Sequence, residues 1–329
     1  MEIPPVQKKL RIGTRKSNLA IVQAEGIRDK LQRLAPERSF EIQALHTLGD
    51  KNKTTALYNF DAKSLWTAEL ESLLTSGELD VIVHYMPTRL PDSCCLAAIP
   101  PRDDPRDALI VKAGLPFTTL KELPEGSVVG TSSVRRIAQL RRLYPHLRFA
   151  NLRGNVETRL AKVDNPESEY SCMVMSAAGL ERIGLSRRIS QYLGSKDGGI
   201  LHAVGQGALG LEIRKGDNET LSFLNQLGDK RSTLAGLAER ALMRELEGGC
   251  SVPIGVETEW LDPSQDMLLR MRAIVVSLDG SQSVEDTIDI TVRTEDEANA
   301  LGEALAARLV KAGASAILED INARRPEKD

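Results

Sequence analysis

The sequence predicts an α/β protein made of two α/β domains followed by a smaller C-terminal α+β domain. Three observations lead there. At 329 residues the chain exceeds what one ordinary hydrophobic core organises. Up to about residue 229 short apolar runs alternate with helical patterns. Beyond that point the alternation stops, and one long helix leads into two strand-like runs and a closing helix.

LRIGT (10–14) opens the first series, and Leu19, Val22, Ile27, Leu31 and Leu34 then recur at helical spacing from Ser17 onward. FEIQALHT (40–47), the helical TAELESLLTSG (67–77) and the apolar LDVIVH (79–84) follow. Such alternation predicts parallel sheets with helical crossovers. A second series contains SVVGT, a helix from Ser133, RFANLRG, a helix from Asn155 and CMVMS, and ALGLEIR (208–214) reads as one more strand. In the last part a helix over 231–247 precedes LLRMRAIVVSLDG and SVEDTIDITV, an antiparallel pair, and a helix over 295–313. The proline-rich, charged PPRDDPRD (100–107) reads as a hinge.

A net charge of -3 with 27% charged residues describes an ordinary soluble chain, and no apolar run approaches a membrane span. With no signal-peptide pattern at the N-terminus, a cytoplasmic protein is expected. Among Cys94, Cys95, Cys172 and Cys250 there is no C-x-x-C pair, and only four histidines accompany them, so no metal site is expected. Cys172, inside CMVMS, reads as a buried strand residue. Cys250 follows two glycines in LEGGCSVPIG (246–255), which strips away the side chains that would bury it and leaves a reactive thiol as one reading.

Charge concentrates in residues 131–160, where seven arginines (135, 136, 141, 142, 148, 153 and 159) face a single acid, Glu157. Arg141 and Arg142 read as a solvated helix face. Arg135 and Arg136 follow GTSS, which reads as a strand end, a Ser cap and a helix start, where free N–H groups already attract anions. Arg153 and Arg159 flank the next strand end and helix start, so these arginines could converge beyond the carboxyl ends of the strands. A nucleic acid would want aromatic platforms, yet aromatics make up only 4% of the chain. A small polycarboxylate or phosphate ligand fits better.

RIGTRKSNLA (11–20), VGTSSVRRIAQL (129–140), LRGNVETRL (152–160), AAGLERIGL (177–185), HAVGQGALGLEIR (202–214) and LEGGCSVPIG (246–255) together resemble the porphobilinogen deaminase (hydroxymethylbilane synthase) family. The resemblance implies two periplasmic-binding-protein-like α/β domains around a cleft: a discontinuous domain 1 over 1–104 and 203–228, domain 2 over 105–202, and a cysteine-bearing domain 3 over 229–329. It implies a transferase of porphyrin and haem biosynthesis that condenses four porphobilinogens, with loss of ammonia, onto a dipyrromethane carried by Cys250. Each pyrrole brings an acetate and a propionate, which an arginine-lined site would suit.

By the same resemblance Arg135, Arg136, Arg153 and Arg159, with Thr131, Ser132 and Ser133, would bind the cofactor. Arg15, Ser17, Arg182 and Gln206 would serve the substrate, and Lys63 would match a lysine of the active-site loop. A monomer without nucleic-acid or membrane partners is expected. One segment departs from the family. Its strand continues V-H-S-[LM]-K-D-[LMV]-P, whose aspartate holds the pyrrole N–H groups and stabilises the cation formed as ammonia leaves. Here residues 81–87 read VIVHYMP: Tyr85 replaces serine, and a Lys-Asp-Leu triplet is missing between Met86 and Pro87. Asp80 and Asp92 are poorly placed to substitute, so impaired catalysis is expected.

Overall fold

The computed structural model describes residues 9–47, 67–87, 89–246, 252–261 and 267–323. By their internal contacts these fall into two compact units. The first takes the described residues before Asp103 together with Ala208–Thr233, and the second takes Asp103–Gly207 together with the described residues from Leu234 onward.

In the first unit lie β1 (Leu10–Arg15), α1 (Asn18–Leu34), β2 (Phe40–Leu45), α2 (Ala68–Thr75), β3 (Val81–Tyr85) and β4 (Cys94–Ala98). Ser17 caps α1 through its hydroxyl, which accepts from the Ala20 N–H. Ala20, Ala24, Ile27 and Leu31 are buried on that helix at alternating steps of four and three, one face of an α-helix. The face packs on Leu10, Ile12, Val81 and Val83 of the sheet. Leu70 and Leu74 of α2 cover the opposite face with Leu79, Ile82 and Cys94.

The second unit begins its sheet with β5 (Asp107–Val111), β6 (Val128–Gly130), β7 (Arg148–Ala150), β8 (Tyr170–Ser176) and β9 (Gln191–Leu193). Its helices here are α3 (Val134–Leu143), α4 (Val156–Asp164) and α5 (Ala177–Arg182). The chain then returns to the first unit for β10 (Leu209–Arg214) and α6 (Asn218–Leu224), and α7 (Lys230–Glu245) leads back. A three-stranded antiparallel sheet, β11 (Ile254–Trp260), β12 (Leu268–Val276) and β13 (Ser283–Thr291), closes the chain with α8 (Glu295–Lys311) and α9 (Ala314–Ala323).

Both α/β sheets are five-stranded with matching orders, β2-β1-β3-β10-β4 and β7-β6-β8-β5-β9. The first three strands of each run parallel, as the alternation predicts. The fourth does not: β10 is antiparallel to β3 and β4, and β5 to β8 and β9. The physical reason is connectivity. β5 and β10 are each the first strand after the chain passes from one unit to the other, so no helical crossover within the sheet sets their direction. β4, β5, β9 and β11 are strands that the sequence reading did not pick out. The antiparallel pair β12–β13 is found as expected, and Cys172 is a buried strand residue whose thiol is pushed up to about 12 by burial.

Helices α7 and α8 approach so closely that a Cβ on Gly302 would lie 2.1 Å from the Ala238 carbonyl oxygen and 2.8 Å from Leu242 N. Gly26, on the exposed side of α1, would place its Cβ in open space. Urea unfolding should therefore show Gly302→Ala destabilising by about 1–3 kcal/mol through overpacking. Gly26→Ala should stabilise by roughly 0.5–1 kcal/mol, because only backbone entropy changes.

Candidate functional site

The arginine motif lies where β6 hands over to α3. Ser133 caps that helix, its hydroxyl accepting from the Arg136 N–H, while the Ser132 hydroxyl donates to Leu152 O at 2.8 Å. Thr131 is buried and its hydroxyl accepts from Ser133 N at 3.2 Å. These side chains shape a tight turn that brings two adjacent arginines out of the sheet edge.

Between those arginines sits a carboxylate that the sequence reading missed. Asp107, the first residue of β5, is completely buried. Its Oδ2 accepts from Arg135 Nη1 at 2.7 Å, and its Oδ1 accepts from Arg136 Nη2 at 2.8 Å, Arg136 Nε at 3.0 Å and Gln206 Nε2 at 2.9 Å. Burial pushes this carboxyl up, but the two guanidiniums outweigh it and hold it well below the usual carboxylate range.

The arginines divide accordingly. Arg135 is only 5% exposed, and its Nη1 also donates to Leu201 O at 2.6 Å and its Nη2 to Gln206 Oε1 at 3.3 Å. It is thus a full member of this network. Arg136 is less enclosed. Arg159, in α4, donates to Gly154 O at 2.7 Å, and among the described residues no carboxylate pairs with it. Burial first, then the like charges of Arg136 and Arg153, lower its guanidinium to about 10. The half-buried Arg159 guanidinium is thus crowded by two other cations.

The remaining candidates are placed as follows. Arg182 Nε donates to Asp103 Oδ2 and its Nη2 to Gly207 O, each at 2.7 Å, so it ties together the two segments where the chain enters and leaves the second unit. Gln206 donates to Pro105 O at 2.6 Å and to Asp107, and does the same. Arg15, half-buried, ends β1 in the first unit, and Ser17 serves as the α1 cap. Cys250 and Lys63 lie outside the described residues.

Strand β3 runs from buried Val81 to exposed Tyr85, and Met86 and Pro87 follow directly. Met86 N donates to Ala208 O at 3.1 Å, and its side chain is buried with Ile99 and Ala208. His84 Nε2 lies 2.9 Å from Glu212 Oε2, both side chains being buried. Neither aspartate near the motif reaches this strand end. Asp80 precedes β3 and is bound by Arg11 Nε at 3.0 Å and Nη2 at 2.9 Å, and Asp92 lies exposed in the turn before β4.

The described residues thus gather an arginine network around Asp107 where β6 meets α3. The family model for the porphobilinogen deaminase dipyrromethane cofactor-binding domain matches residues 10–222, and that for the porphobilinogen deaminase C-terminal domain matches 233–311. A porphobilinogen deaminase of Yarrowia lipolytica is 52% identical over 322 residues, covering 95% of this chain and 94% of the relative. One from Saccharomyces cerevisiae is 45% identical over 324 residues, covering 96% and 98%. Among solved structures, the BenM effector-binding domain with benzoate aligns over 68% of this chain and 90% of its own, at 14% identity and a TM-score of 0.42. The chain belongs to the porphobilinogen deaminase family, whose cofactor is dipyrromethane.

Arg159→Leu removes a half-buried cation with no acid partner among the described residues, so the ligand-free protein should unfold at the same or a higher urea concentration. Its affinity for a polycarboxylate should nevertheless fall by roughly 1.5–3 kcal/mol, one charge-assisted contact. Asp107 should behave oppositely. Because its folded pKa lies below the unfolded value of about 3.9, its contribution is fully present above that pH and is lost as pH falls below it. Asp107→Asn should destabilise by about 3–5 kcal/mol at neutral pH, leaving two guanidiniums uncompensated, and should flatten the acid limb of a stability–pH curve.

Proposed function

We propose that this chain takes up dipyrromethane on Cys250 and binds its carboxylates through Arg136, Arg153 and Arg159, but condenses porphobilinogen into hydroxymethylbilane poorly. The observation that carries the binding half is Arg159, a half-buried guanidinium that donates to Gly154 O and pairs with no carboxylate among the described residues, with Arg136 and Arg153 near enough to press on its charge. When bound, dipyrromethane supplies the free pyrrole carbon to which porphobilinogen adds with loss of ammonia. The chain's own residues do the rest. Asp107 and Arg135 fix the α3 end, Arg182 and Gln206 secure the two crossings, and Ser132 and Ser133 hold the turn. Thr131 shapes the same turn. Arg15 and Ser17 on the first unit, with Lys63, are assigned to the incoming substrate.

The impairment reading rests on the β3 end. A carboxylate facing the cation that forms as the amine departs acts most strongly in the transition state, and removing one preorganised group of that kind typically costs about 10²–10³ in rate. Among the described residues, Tyr85, Met86 and Pro87 offer no such group, and Asp80 is tied to Arg11. Domain boundaries at 104/105, 202/203 and 228/229 are part of this reading, as is a monomer in the cytoplasm. The unpaired thiols of Cys94, Cys95 and Cys172 suit a reducing compartment.

Two measurements test it. Incubation with hydroxymethylbilane should raise the intact mass by that of the four-ring chain less one water, the thiol replacing its terminal hydroxyl, and Cys250→Ser should abolish the increment; an unmodified parent contradicts the binding half. Inserting Lys-Asp-Leu between Met86 and Pro87 together with Tyr85→Ser should raise uroporphyrinogen formation by about 10²-fold or more. The same insertion with Asn for Asp should not. Parental turnover equal to the repaired chain contradicts the impairment.

A further inference from the structure

Residues Leu201–Gln206, the segment by which the chain leaves the second unit, are held from four separate elements of that unit, by side chains on three and by backbone on the fourth. On α3, Gln139 is 1% exposed and grips one residue twice, its Oε1 accepting from Leu201 N at 2.7 Å and its Nε2 donating to Leu201 O at 3.0 Å. Arg135, one turn earlier on the same helix face, donates to the same oxygen. His202 O accepts from Val256 N of β11 at 2.8 Å. On α7, Glu239 is completely buried, its Oε2 accepting from Gly205 N at 2.8 Å and its Oε1 from the Thr258 hydroxyl at 2.7 Å. Gln206 finally donates to Asp107 of β5. Little slack remains, since a Cβ on Gly255 would lie 2.6 Å from Gln139 Nε2 and 2.9 Å from Leu201 Cβ.

A buried amide and a buried carboxylate add little net stability over apolar packing, because desolvation offsets their bonds; what they fix is geometry. The segment links the arginine helix to the C-terminal sheet and to α7, which ends at Glu245, five residues before Cys250. Glu239 is joined to Arg136 through Gly205, Gln206 and Asp107 in turn. We propose that residues 201–206 act as a strap that sets the pose of Arg136 relative to the element leading to Cys250, with Gln139 and Glu239 as positioning residues at its two clamps. The proposal rests on the polycarboxylate reading of the arginine layer.

The test is calorimetric binding of mellitate, a benzenehexacarboxylate, to the full chain well below its unfolding transition. Gln139→Met and Glu239→Ala should each weaken binding by about fivefold or more. Glu239→Gln, which can keep both bonds, should bind like the parent. Leu305→Ala in the C-terminal core should lower stability without changing affinity. Parental affinity in Glu239→Ala overturns the proposal, as does an equal loss in Leu305→Ala, which would reduce the effect to destabilisation. Should Glu239→Ala fail to fold, Thr258→Val removes one clamp bond and carries the same expectation. A parent that does not bind mellitate overturns the polycarboxylate reading instead. Scanning calorimetry then decides the strap: Glu239→Ala should split the melting of the second unit into two transitions, and an unsplit transition refutes it.

Discussion

The buried carboxylate of Asp107 is the constraint on which the arginine site depends. Two adjacent guanidiniums at a helix start repel each other and lose hydration as they are enclosed, and neither cost is offset by the hydroxyls of the preceding turn. Asp107 joins both and leaves a net positive charge, because one carboxylate faces two cations. It also accepts from Gln206, so the entering and returning segments of the second unit meet at one group. Arg182, bridging Asp103 and Gly207, repeats the arrangement at the rim. Arg135 and Arg136 thus both hold Asp107, whereas Arg159 pairs with no carboxylate among the described residues.

Local order at the β3 end is complete in its own terms. Tyr85 pairs with Leu209 and His84 with Gly210 across to β10, and Met86 fills a small apolar cluster. The segment from His84 to Met86 is thus held by pairing and burial, which concern backbone and methyl groups.

Much of this was legible in the sequence because it is periodic or punctuated. The spacing from Leu19 to Leu31 and the GTSS cap before Arg135 each carry a local signal, and six motifs in order carried the family. Asp107 carried none: three aspartates share PPRDDPRD, and only tertiary structure buries the last beneath two arginines. Strand direction was equally hidden, since period two is the same for parallel and antiparallel strands, and the reversed β5 and β10 follow from where the chain changes units. Gln139 and Glu239 sit in helical patterns where a polar residue reads as solvent-facing. Each holds a backbone group more than thirty residues away in sequence, which no local pattern discloses. Arg135 and Arg136 are likewise indistinguishable by sequence, although only Arg135 also reaches Leu201 O.

That division is open to direct observation. In a chain labelled at arginine side-chain nitrogens, Nε and Nη resonances can be followed as mellitate is added. Large shifts at Arg153 and Arg159 with Arg135 unmoved are the result this account predicts. Shifts at Arg135 as large as those at Arg159 would mean that the Asp107 pair opens to the ligand, and would contradict it.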